Sequence, residues 1–151
     1  MAELQLGKIL VTTDLSKASE AAFEAIKPLA DGFDSKVTVL HVVAEPGWAP
    51  ATSASSDPYG AKQRLKDSIQ GPLDEMHGRL LGASARARTA IVDGHPVWKA
   101  ICDYAHDHGY DLIAIATRGR SNVDGALIGS VAEGVARHAH CPVMCVRPSP
   151  A

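Results

Sequence analysis

Five short apolar runs alternate along this chain with four segments whose apolar residues recur every three or four positions, and this alternation limits the fold more than any other feature. The short runs read as strands and the three-and-four spacing as helix faces. Strands joined through helices form right-handed βαβ units, so the expected architecture is α/β: an open, doubly wound, mostly parallel five-stranded sheet with four helices, Rossmann-like. The fourth run, Asp111-Leu112-Ile113-Ala114-Ile115-Ala116, is nearly all apolar. Such a run suits a parallel strand with helices over both faces.

The first run, 7–13, ends at Asp14, and Ala18, Ala21, Ala22, Ala25, Ile26 and Leu29 then mark a helix. Ser16 is the expected N-cap, because its hydroxyl can accept a bond from a free first-turn amide. Pro28 is expected to kink that helix. The β-branched run 36–43 is the second strand. Segment 44–58, with Pro46, Gly47, Pro50 and Pro58, has few apolar side chains to offset the entropy of ordering and is expected to be a mobile loop. Leu65, Ile69, Leu73, Met76 and Leu80 then share one side of a helix over 59–81, with a kink or break expected at Gly71-Pro72. A weaker strand, 85–92, leads to a helix opened by Pro96 and stopped at His108-Gly109. A helix over 129–138 and a strand over 143–146 close the pattern, and 147–151 is a short C-terminal tail.

At 151 residues, 46% of them hydrophobic, the chain suits a single domain over 1–151. Its net charge of -2 offers no strongly basic surface for coating nucleic acid. The aliphatic runs are of strand length, well short of the roughly 20 residues that cross a bilayer, so no membrane association is expected. The first residues carry neither the basic start nor the apolar stretch of a signal peptide, and a cytoplasmic location is expected. Cys102, Cys141 and Cys145 follow no metal-site spacing and read as buried free thiols. The pairs His106/His108 and His138/His140 read as solvated or helix-capping groups, since residues two apart do not share a helix face.

The loop after the fourth strand is the most informative segment. From Thr117 to Ser130 it holds Gly119, Gly125 and Gly129, two arginines, Arg118 and Arg120, and a helix beginning at its end. Glycines let backbone amides approach a ligand, and a helix N-terminus favours an anion, so the loop is a candidate phosphate cradle. Tight βα turns also take glycine for geometry alone. No Gly-x-x-x-x-Gly-Lys-Ser/Thr sequence is present, which argues against the phosphate grip of a P-loop NTPase and against vigorous hydrolysis.

Together with Val11-Thr12-Thr13-Asp14-Leu15-Ser16 and His138-Ala139-His140-Cys141-Pro142-Val143, this loop resembles the universal stress protein family over essentially the whole chain. ATP-binding members carry Gly, two residues, Gly, nine residues, Gly, then Ser or Thr. Gly119, Gly129 and Ser130 match that pattern, while Ala116 stands at the first glycine. The resemblance implies a strand order of 3-2-1-4-5 and an adenine-nucleotide (ATP) binding regulatory module of the stress response, with slow or no hydrolysis. It implies that Asp14 contacts base or ribose, that Thr12, Thr13, Ile115 and Ala116 line the pocket, and that Val42 packs against adenine. Gly119, Gly129, Ser130 and Val131 would hold phosphates and ribose, with Arg118 and Arg120 adding positive charge. Asp14 or Asp124 would meet any Mg²⁺ through water. The family also implies a homodimer through Val143, Met144, Cys145 and Val146, an apolar edge open to pairing. Ala116 keeps an alternative open, a dimeric stress adaptor that binds no nucleotide.

Overall fold

The computed structural model of the chain describes residues 4–44, 58–82, 86–119 and 128–149. Among these residues the strands are β1 (Lys8–Thr12), β2 (Lys36–Ala44), β3 (Ala87–Gly94), β4 (Leu112–Ala116) and β5 (Val143–Val146). They alternate with α1 (Glu20–Phe33), α2 (Pro58–Leu81), α3 (Val97–Asp107) and α4 (Ser130–His138). All strand pairs are parallel, in the order β3-β2-β1-β4-β5, which is the expected doubly wound sheet.

Alternate residues of each strand face opposite sides of the sheet, and here both sides are apolar. Ile9, Val11, Val37, Val39, Leu112 and Ala114 pack beneath Phe23 and Ile26 of α1 and Leu73 and Met76 of α2. Leu10, Leu40, Val42, Ile113 and Ile115 face Ile101, Cys102 and Ala105 of α3 and Ala132 and Val135 of α4. This two-sided burial explains why the fourth run lacks a polar alternate face. The chain winds β1-β2-β3 towards one edge and then crosses to β4 on the other side of β1. The reversal opens a crevice above the C-terminal ends of β1 and β4, where doubly wound sheets bind ligands.

Several local expectations are corrected. Helix α1 starts at Glu20, and the N-cap position is Ser19, not Ser16. The Ser16 hydroxyl instead accepts the Ser19 N–H at 3.2 Å, because residues 16–19 form turns ahead of the helix. Helix α2 continues through Gly71-Pro72 without a break, as α1 does through Pro28. An interior proline costs about 3 kcal/mol, but Leu73 and Met76, just past Pro72, are buried. Their burial, about 1.5–3 kcal/mol each, outweighs it. Leu65, one member of the expected apolar face, is 48% exposed. Of the three free thiols only Cys102 is buried; Cys141 is half-buried and Cys145 exposed. The loop expected over 44–58 lies outside the described residues, apart from Ala44 at the end of β2 and Pro58 at the start of α2. Among the described residues no helix is long and apolar enough to cross a membrane.

Candidate functional site

The site begins where β1 gives way to a fixed turn. Thr13 continues the ladder through its N–H to Leu40 C=O at 3.0 Å, and its own carbonyl lies 2.9 Å from His41 Nδ1, which donates to it. The Thr13 hydroxyl accepts the Leu15 N–H at 3.0 Å and lies 2.7 Å from Ser19 Oγ. Because Ser19 Oγ donates its one proton to Ser16 C=O at 2.7 Å, Thr13 donates in that pair. Asp14 Oδ1 accepts the Ser16 N–H at 3.0 Å. These bonds hold Leu15 at φ 68°, a left-handed conformation unusual for a side chain branched at Cγ. Backbone strain of this kind persists where its surroundings enforce it, often at functional sites.

Glu20 anchors the same turn from below. Its buried carboxylate pairs with Lys17 at 2.8 Å and with Arg79 of α2. The Arg79 guanidinium holds the Glu20 carboxyl below its ordinary range, against the opposing effect of burial and with help from Lys17. One carboxylate thus fixes the start of α1 against the last turn of α2.

Opposite this turn, β4 is followed by Thr117, which is bonded on both sides. Its N–H donates to Val146 C=O at 2.8 Å, and its carbonyl accepts the Gly129 N–H at 2.5 Å. The second contact seats the N-terminus of α4 over the end of β4. The Gly129 amide is therefore engaged within the protein. The first bond inside α4 runs from Glu133 N–H to Gly129 C=O, and the N-cap makes no side-chain bond. The amides of Ser130, Val131 and Ala132 thus precede the helical ladder and point out of its start.

Gly119 and Gly129 have no need of positive φ. What they require is space: a Cβ at 119 would lie 2.0 Å from Asp14 Oδ2, and one at 129 would lie 3.1 Å from Thr117 O. Gly119 therefore lets the Asp14 carboxylate sit against the backbone after β4. Ala116 also keeps an ordinary φ, so its methyl adds no backbone strain at the position where the family pattern has glycine.

These elements enclose a cavity of about 480 Å³, within the size range of small-molecule sites. Thr12, Thr13, Asp14, Val42, Ile115, Ala116, Arg118, Gly119, Gly129, Ser130 and Val131 all line it. Arg120 and Asp124 lie outside the described residues. Leu40, Val97 and Ile101 extend the apolar floor, and Ser19, Thr117, Ile128 and Ala132 complete the lining. Sequence reasoning missed these. Leu40 falls in the β-branched run 36–43 and Ile101 in the helix after Pro96, but the apolar pattern does not show which of its residues end at a cavity. Asp14 is the one carboxylate among the described lining residues.

The histidine pairs lie away from this lining. His108 Nδ1 and His138 Nδ1 each bond the carbonyl four residues earlier, Tyr104 and Gly134, at 2.9 Å, so both cap helix C-termini. Trp98 of α3 stacks on His138, with ring centroids 4.2 Å apart. No group of three or more potential metal ligands occurs among the described residues.

Residues 6–147 match the model of the universal stress protein family. A universal stress protein of Methanocaldococcus jannaschii is 32% identical over 141 residues, covering 93% of this chain and 81% of the relative. A solved structure of a second protein from that organism superposes with a TM-score of 0.82 at 26% identity, over 97% of this chain and 99% of the other. Among more distant solved structures are a universal stress protein in complex with cAMP, at 22% identity and TM-score 0.59, and one from Archaeoglobus fulgidus in complex with dAMP, at 20% and 0.57. The family model spans every described strand and helix, and the solved structure from Methanocaldococcus jannaschii shares the fold; this chain belongs to the universal stress protein family.

Proposed function

We propose that the cavity binds an adenine nucleotide, ATP foremost, and that the chain is a cytoplasmic regulatory module whose nucleotide turns over slowly or not at all. The observation that carries this is the meeting of Asp14 with Gly119 beside the open amides of α4, above an apolar floor of Val42, Ile115 and Ile101. Adenine would pack on Val42, with Thr12 and Thr13 beside it and Asp14 addressing base or ribose. Gly119, Ser130 and Val131 would hold phosphates, favoured by the helix N-terminus and by Arg118. A Mg²⁺ accompanying ATP would meet Asp14. The cAMP and dAMP complexes of distant family members support an adenine ligand.

Slow turnover follows from the donor set. Asp14 Oδ1 already accepts the Ser16 amide, and its other oxygen rests against Gly119, which leaves it poorly placed to activate water. The second reading, a dimeric adaptor without nucleotide, draws on Ala116, whose methyl lines the cavity. Denaturing freshly purified protein and chromatographing the supernatant separates the two, with a phosphate-release assay on added ATP for turnover. The nucleotide reading expects adenine nucleotide in the supernatant and little phosphate. A supernatant without nucleotide, from protein that takes up none when ATP is added, favours the adaptor.

A further inference from the structure

Thr117 carries a polar group that the fold leaves unmatched. The residue is 8% exposed and lines the cavity, and its Oγ1 is buried with no hydrogen-bond partner among the described residues. The neighbouring buried hydroxyls of Thr13 and Ser19 are committed to each other and to the turn. Thr117 itself is immobilised, with its N–H bonded to Val146 and its carbonyl to Gly129. Its backbone is thus held beside the N-cap of α4. A buried hydroxyl without a partner is disfavoured until one arrives, and such orphans are rare in folded proteins.

We propose that Thr117 is the residue by which the cavity discriminates a phosphorylated nucleotide from the bare nucleoside. This rests on the nucleotide reading. The open amides of Ser130, Val131 and Ala132, together with Arg118, favour an anion next to Thr117. A phosphate oxygen only accepts, so the Thr117 hydroxyl donates to it, and the bond is charge-assisted. A nucleoside offers no such oxygen there and leaves the hydroxyl as it is.

Calorimetry of AMP and adenosine with wild type, Thr117→Val and Thr117→Ser tests this directly. Valine keeps the shape and removes the hydroxyl. The expected result is a loss of AMP affinity of about 10- to 100-fold in Thr117→Val, no change for adenosine, and near-complete rescue by serine. The melting temperature of the ligand-free valine variant should not fall, since it loses no bond. Thr117→Ala gives the same comparison should valine fold poorly. Equal losses for both ligands would make Thr117 a structural residue and overturn the inference, as would wild-type affinity for both. In either case the nucleotide reading survives, whereas a wild-type protein that binds neither ligand removes that reading and this one together.

Discussion

A methyl group at position 119 would stand 2.0 Å from Asp14 Oδ2 and 2.9 Å from its Cγ, too close for either to stay. Asp14 has a short side chain tied to the Ser16 amide, so it has little room to give. Gly119→Ala should therefore displace the carboxylate and weaken ATP binding at least tenfold, while the melting temperature stays near wild type because the clash is with a cavity wall. Calorimetry beside a thermal melt checks both; unchanged affinity would show that Asp14 does not address the ligand. Gly129→Ala meets only the Thr117 carbonyl at 3.1 Å and should cost less. The glycines were legible in the sequence because their spacing is itself a signal. Thr117 was not, since a threonine in a βα turn has no distinctive spacing and its significance lies in a missing partner. The engagement of the Gly129 amide was equally hidden, because a tertiary hydrogen bond decides it.

Between elements, close packing reverses an ordinary propensity. Glycine to alanine in a helix interior usually stabilises by up to about 1 kcal/mol. In α4, however, a Cβ at Gly134 would lie 2.3 Å from Trp98 Cγ and 2.7 Å from its Cβ, where α3 crosses. Gly134→Ala should destabilise by about 1–3 kcal/mol, read from urea denaturation, and a stabilised variant would contradict the packing. Helices α1 and α2 are joined by Glu20 and Arg79, and here the effect depends on pH. The Glu20 carboxyl is held below its unfolded value, so the pair's contribution is full above the unfolded pKa of about 4.3 and is lost as pH falls through the lower folded one. Arg79→Met should thus lower the urea midpoint near neutrality, and the gap from wild type should close as pH drops below about 4. A gap independent of pH would assign the effect to packing. Element type and order were legible because two-sided burial leaves a periodic record in apolar residues. The start of α1 was not, since Ser16 and Ser19 are equally good caps by residue type and only the turn over 16–19 selects between them. The continuity of α2 was missed for a related reason: the burial of Leu73 and Met76 that overrides Pro72 comes from contacts with other elements.

For the whole molecule, β5 is an edge strand. Ile113 N–H bonds Pro142 C=O and Thr117 N–H bonds Val146 C=O, so by the alternation of a parallel ladder the N–H and C=O of Val143 and Cys145 face away from β4. That row suits the proposed two-fold pairing with a second chain. Val143→Pro removes one outward donor and leaves the β4 ladder whole, so it should shift the protein towards monomer, with a modest fall in melting temperature because Val143 also packs against the core beside α3 and α4. Met144→Asp is a poorer choice, since Met144 packs against the core beneath α1. Light scattering should give about twice 15.9 kDa for wild type and one chain's mass for the variant. A wild-type monomer would refute the pairing. The central claim, that the crevice between β1 and β4 takes an adenine nucleotide, is tested most directly by titrating ATP into the purified, nucleotide-stripped protein in a calorimeter. The expected result is saturable heat with one nucleotide per chain. No saturable heat down to a Kd of about 1 mM, where binding is worth only about 4 kcal/mol, would contradict it.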